Sequence, residues 1–293
     1  MRTSSNPLDL WVPRNKTALM QHLQLLVGRE AYRNWCGGMI DRKKLPGFAA
    51  KMAQRYPIMR NTRGRSYDRK CGKAVVHLII FPVGEKVQWW LISDDGSGGL
   101  ADPSAEDAKV TKDAMTADGH ITFGDYVLLY ASKREYRKLT SDSSSKTKGF
   151  YKDLSTWTWK MRGEVVRELR ASIEECCTRL QLGTEGEAHQ QSRGLKGLLA
   201  TMRRRPLFSG IRNQVYDLHS EAKELWRRHH GAWCARQGSH QAALADDTDA
   251  ELMLAGKPFP KMRRIRVFDI PPATIRQLCT DDVSRQIADG GEL

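Results

Sequence analysis

The densest β-type patterning in the chain runs from Lys73 to Met161. Four segments there are rich in β-branched and aromatic residues and are bounded by Gly, Pro, Asp or Ser: residues 74–81, 86–92, 120–123 continuing through 125–131, and 155–161. Each is expected to be a strand, and Gly84-Glu85 to turn the first pair into a hairpin. Side chains alternate along a strand, so Trp89 and Trp90 must point to opposite faces. One belongs in the core; the other lies under a helix or loop, or stays exposed and available for stacking. Trp157 and Trp159 share a face and are expected inside, with Thr156, Thr158 and Lys160 on the wetter side.

Helical periodicity flanks this region. After an extended arm punctuated by Pro7 and Pro13, Asn15 reads as an N-cap. Leu19, Leu23, Leu26 and Val27 follow at helical spacing, with the pattern continuing towards Ala31 and Trp35 until Gly37-Gly38 ends it. A second helix is expected over 45–55, with Pro46 in its first turn and Phe48, Ala49 and Met52 facing inward. Beyond Met161, Val165, Leu169, Ile173, Cys176 and Leu180 form an apolar stripe, with Arg170/Glu174 and Glu175/Arg179 as supporting pairs opposite. Residues 183–194 read as a polar linker and domain boundary. A helical section from Leu195 is interrupted at Arg203-Arg204-Arg205-Pro206, and a longer helix reaches Arg236. Residues 238–257 read as a loop, 261–270 as a last strand with a basic edge that returns to the sheet, and 274–279 as a short helix. The fold class implied is α+β: an antiparallel sheet of about four to five strands, flanking N-terminal helices and a helical C-terminal half. The expected domains are an α+β unit over 1–182 and a basic helical region over 195–293.

Charge changes this picture most. The 293 residues carry a formal net charge of +14, which draws polyanions rather than specifying a fold. The excess is clustered. Between 51 and 73, Lys51, Arg55, Arg60, Arg63, Arg65, Arg69, Lys70 and Lys73 face one acid, Asp68. Gly64 and Asn61-Thr62 suggest a loop there, and Tyr56 and Tyr67 are interleaved with the cations. Charge holds phosphates while rings stack bases, so the mixture suits a strand-tracking surface. Residues 132–153 are a second basic stretch, expected to be a mobile loop or a finger that orders on a ligand, and 193–236 a third. No apolar run approaches the roughly 18 residues of a membrane span, and the N-terminus lacks the apolar core of a secretory signal. A cytoplasmic location is therefore expected. The six cysteines show neither C-x-x-C nor a disulfide-framework spacing, and are expected reduced.

Catalytic signatures are absent from the sequence. There is no H-x-H of a nicking enzyme, no Ser/His/Asp grouping, no nucleotide-binding loop and no zinc-finger spacing. The Gly-rich turn at 95–99 lacks a following Lys-Ser/Thr. His229, His230 and Cys234 give too few ligands for a four-coordinate zinc site. No cofactor or metal is expected. The function indicated is a non-catalytic nucleic-acid-binding protein, with other subunits of a nucleoprotein assembly as further partners and no membrane. Its contacts are expected at Arg60, Arg63, Arg65, Arg69, Lys70 and Lys73, then Arg203, Arg204 and Arg205, then Arg263, Arg264 and Arg266. One alternative is a metal-dependent nuclease built on the acidic excursion 94–118, where Asp94, Asp95, Asp102, Glu106, Asp107, Asp113 and Asp118 face Lys109 and Lys112, with Asp95, Asp102 and His120 as candidates. The other is an interaction module for an acidic protein.

Overall fold

The computed structural model describes residues 6–29, 31–132, 134–138, 149–153, 155–178, 185–237 and 272–280. The chain is α+β, with antiparallel sheets of two to four strands, and it divides into two units. One unit holds the described residues up to 121, with 128–158 and 272–280; the other holds 122–127 and 159–237.

The first unit begins with a 3-10 turn at Pro7–Asp9, followed by β1 (Trp11–Val12), α1 (Lys16–Arg29), β2 (Asn34–Asp41), α2 (Leu45–Arg55) and α3 (Thr62–Lys70). Then come β3 (Val76–Val83), β4 (Lys86–Ser93) and β5 (Lys112–Asp113). These strands form a sheet in the order β3-β4-β2-β5. Asn15 caps α1 as its position suggests, its Oδ1 accepting the Ala18 N–H at 2.7 Å. The helix does not reach Trp35. It ends at Arg29, Ala31 takes a left-handed φ of 58°, and Trp35 to Gly38 lie in β2 opposite Ile92 to Trp89 of β4. The two glycines are strand residues with a packing role. A Cβ on Gly37 would stand 2.7 Å from the Trp89 carbonyl oxygen, and one on Gly38 would press on the Trp89 indole at 3.4 Å. Trp90 is buried on one face; Trp89, on the other, packs on Phe48 of α2 with ring centroids 4.9 Å apart. In α2, which spans the expected residues, Leu45, Ala49 and Met52 are buried and Phe48 is half-covered.

The excursion from Asp94 to Asp118 contains no α-helix; 3-10 turns at Ala108–Val110 and Ala117–Gly119 flank β5. The expected strands are shared between two sheets. β6 (Ile121–Phe123) and β7 (Tyr126–Ala131) are separate strands, joined where Gly124 takes φ 52°. After β8 (Arg134–Lys138) and β9 (Gly149–Asp153), which pair with each other, β10 (Thr156–Met161) joins them in the order β10-β7-β6. The division between the units falls within these strands. Trp157 and Trp159 are buried as expected, but so is Thr158, so at that position both faces of β10 are covered.

The second unit is dominated by α4 (Gly163–Thr178), α5 (Glu185–Arg203) and α6 (Ser209–Gln237). Residues 185–194 are the first turns of α5, not a linker. The buried stripe of α4 is Leu169, Ile173 and Cys177, facing Leu195, Leu199 and Met202 of α5 and Ile211, Val215, Leu218, Ala222 and Trp226 of α6. Arg170 does not pair along its own helix with Glu174; it reaches across to Glu221 on α6 in a two-toothed ion pair, both N···O distances 2.7 Å. A final segment returns to the first unit: β11 (Ala273–Thr274) pairs with β1, and α7 (Ile275–Cys279) starts with a capping box between Thr274 and Gln277. The expected strand at 261–270 lies outside the described residues. Among the described residues, no helix is long and apolar enough to cross a membrane.

Candidate functional site

The segment read from sequence as a basic loop contains a helix. Asn61 opens α3, accepting the Gly64 N–H at 2.7 Å, and Gly72 with φ 70° follows its end. At about 100° per residue, Arg65, Asp68 and Arg69 fall on one side of α3, while Arg63, Ser66, Tyr67 and Lys70 fall on the other. The two sides have different partners.

On the inner side, Asp68 is 4% exposed and accepts an ion pair from Arg60 Nε at 3.1 Å. Arg65 Nε donates to the Arg60 carbonyl at 2.8 Å. Arg69 Nε donates to Asp94 Oδ2 at 2.9 Å, and its guanidinium donates to the Tyr32 hydroxyl while lying 5.1 Å from the centroid of that ring. Asp94 accepts the Val75 N–H through its other oxygen at 2.5 Å. Tyr32 Oη is also 3.0 Å from His77 Nε2. Arg60, Arg65 and Arg69, three of the expected contacts, are therefore engaged in internal bonds: Arg60 and Arg65 within α3 and the residues that lead into it, and Arg69 with Asp94 and Tyr32 beside the sheet. The sequence carries no local sign of this, because Arg69 and Asp94 are separated by a hairpin.

Among the described residues, the outer side has no such ties. Arg63, Ser66, Tyr67 and Lys70 are exposed, Tyr67 by 67%, and Lys73 is exposed just beyond the helix. Their spacing of three, one and three residues places two cations on either side of a ring. This arrangement can hold two phosphates and offer one stacking face.

The acidic excursion is spent on the fold. Glu106 and Asp107 pair with Arg55, and Asp107 also accepts the Tyr56 hydroxyl at 2.8 Å. Burial and that hydrogen bond raise the Tyr56 pKa. Asp95 accepts from Asn34 Nδ2 at 2.8 Å. Asp102 accepts from the Ser104 hydroxyl and from the Ser104 and Gly98 amides, which holds its carboxyl down to about 2. The Gly-rich turn serves close packing. A Cβ on Gly96 would stand 2.6 Å from Ala74 N, and Ser97 exchanges backbone hydrogen bonds with Gly72 and Ala74. Among the described residues, no group of three or more His, Cys, Asp or Glu side chains is disposed to hold a metal ion.

In the second unit the triple arginine is also divided. Arg205 is 14% exposed, bonded to Asp125 at 3.1 Å and to the Tyr126 hydroxyl at 3.4 Å. Burial raises the Tyr126 pKa, with the Arg205 charge acting against it. Arg203 is half-buried and Arg204 is exposed. Arg263, Arg264 and Arg266 lie outside the described residues. Compared with protein-family models, with curated proteins and with solved structures, the chain matches none.

Proposed function

We propose that the chain binds nucleic acid through its phosphates, and that the outer side of α3, with Arg63, Tyr67, Lys70 and Lys73, is a principal contact. The observation that carries this is the asymmetry of α3: on its inner side Asp68 and Asp94 pair with Arg60 and Arg69 and Arg65 is bonded to the Arg60 carbonyl, whereas its outer cations flank an exposed tyrosine. A pre-formed helix presents these groups without a backbone-ordering cost at binding. Arg204 is the remaining candidate in the second unit. The same surface could seat the chain as a subunit of a larger nucleoprotein assembly.

The test is retention on single- and double-stranded DNA and RNA across a salt series, with and without Mg²⁺. Log K should fall linearly with log salt, by about 0.7–0.9 per phosphate contact. Failure to bind any polynucleotide at low salt rejects the proposal. Preference for an acidic protein over every polynucleotide would favour the interaction-module alternative. Mg²⁺-dependent cleavage abolished by Asp95→Ala or Asp102→Ala would favour the nuclease.

A further inference from the structure

On the inner flank of α3, a cavity of about 70 Å³ opens between α1, α3, β1 and β3. His22, Arg65 and His77 line it, together with Trp11, Ile58 and Leu78. At roughly 15 Å³ for each water-sized position it has room for about five heavy atoms, the size of one tetrahedral oxyanion. Arg65 spends its Nε on the Arg60 carbonyl, and its two terminal nitrogens have no hydrogen-bond partner among the described residues. Neither ring nitrogen of His22 has one; that ring packs edge-on to Trp11 with centroids 4.4 Å apart. His77 uses Nε2 on Tyr32 and leaves Nδ1 unpaired. Three side chains from three elements, each with an unpaired nitrogen among the described residues, thus line one cavity, and no carboxylate of the described residues lines it. Trp11, at 37% exposure, stands at its wall.

We propose that this cavity is a binding site for a single phosphate group, held by Arg65, His22 and His77, with Trp11 beside it to cover a sugar or base. The site is distinct from the outer side of α3, and binding of free phosphate does not depend on the nucleic-acid reading. The cavity is electrostatically primed. Burial and the nearby Arg65 charge hold His22 down to about 4; burial, Arg65, His22 and Arg69 hold His77 down to about 3. A bound phosphate offsets that repulsion and raises the proton affinity of both imidazoles.

The test is calorimetric titration of the full chain with inorganic phosphate at about pH 6 and about pH 8. Expected are saturable binding with a heat that depends on buffer ionisation, and loss of about tenfold or more in affinity in both Arg65→Gln and His22→Gln. His22 makes no internal hydrogen bond, so His22→Gln reports on the site even if Arg65→Gln fails to fold. Lys86→Gln, an exposed cation at the start of β4 and away from the cavity, should bind phosphate as the native chain does. A short oligonucleotide with a 5′-phosphate is then compared with its 5′-hydroxyl counterpart. Tighter binding of the former, lost in His22→Gln, assigns a strand end as the source; equal binding of the two beside saturable phosphate binding assigns a free phosphate. No heat with phosphate at either pH, or undiminished binding in His22→Gln, overturns the proposal.

Discussion

The basic segment 51–73 and the acidic segment 94–118 have opposite charge and a similar look in sequence, each a polar stretch with no obvious partner. In the fold they are used differently. The acidic segment engages most of its carboxylates in internal bonds, to Arg69, Arg55, Tyr56, Asn34 and its own backbone amides. The basic segment surrenders Arg55, Arg60, Arg65 and Arg69 to such bonds and keeps Arg63, Lys70 and Lys73 outside. Charge imbalance in a sequence therefore marks a ligand surface only after internal pairing is subtracted. The residual, here Arg63, Lys70 and Lys73 around Tyr67, is smaller and better localised than the raw count suggests.

The largest effect expected from breaking this pairing is at Asp94. Asp94→Ala leaves Arg69 without its carboxylate and the Val75 N–H without its acceptor, and should destabilise the chain by about 2–4 kcal/mol in urea unfolding. Asp95→Ala, one residue on, removes only an exposed bond to Asn34 and should cost about 0.5 kcal/mol or less. Equal losses at the two positions would mean the inward pairing is not what distinguishes them. Arg69→Ala should cost about 1–3 kcal/mol and alter nucleic-acid binding only through the placement of α3.

The next effect is on pH. His22 and His77 are held neutral on the inner flank of α3, His77 facing Arg65, His22, Arg69 and Tyr32. Their folded pKa values lie below the ordinary 6.5, so the unfolded chain takes up protons first as pH falls. Their contribution is complete above about pH 6.5 and is lost progressively towards about pH 4 for His22 and about pH 3 for His77. The melting temperature should fall across that window, and less steeply in His77→Gln. A profile flat from pH 7 to 4 would show that neither imidazole is held neutral.

A smaller effect sharpens the same distinction in the second unit. Arg205→Ala should cost about 1–2 kcal/mol through loss of Asp125 and Tyr126, while Arg204→Ala leaves the melting temperature unchanged.

How much of this the sequence disclosed depends on the range of the interactions. Helix α2, the cap at Asn15 and the Gly84 turn are set by residues within a few positions of each other, and were legible. Strand β2 was not: its Gly37-Gly38 pair looks like a helix stop, and its reason is the close approach of β4 and the Trp89 ring. Helix α3 was not either, since a nine-residue, highly polar segment gains its stability from Asp94, Tyr32 and the sheet. The outer residues of the candidate site were readable as basic and aromatic. Which arginines would be withdrawn from it was not, because that depends on carboxylates remote in the chain. Likewise His22, Arg65 and His77 converge only after folding, and nothing in their spacing links them.

The most direct measurement is the salt dependence of polynucleotide affinity for the native chain and for Arg63→Gln/Lys70→Gln, with unfolding midpoints recorded on the same samples. The account predicts weaker binding, a log–log slope flatter by about one to two units, and an unchanged unfolding midpoint. Native affinity and slope in the double variant would contradict it and place any binding surface away from the outer side of α3.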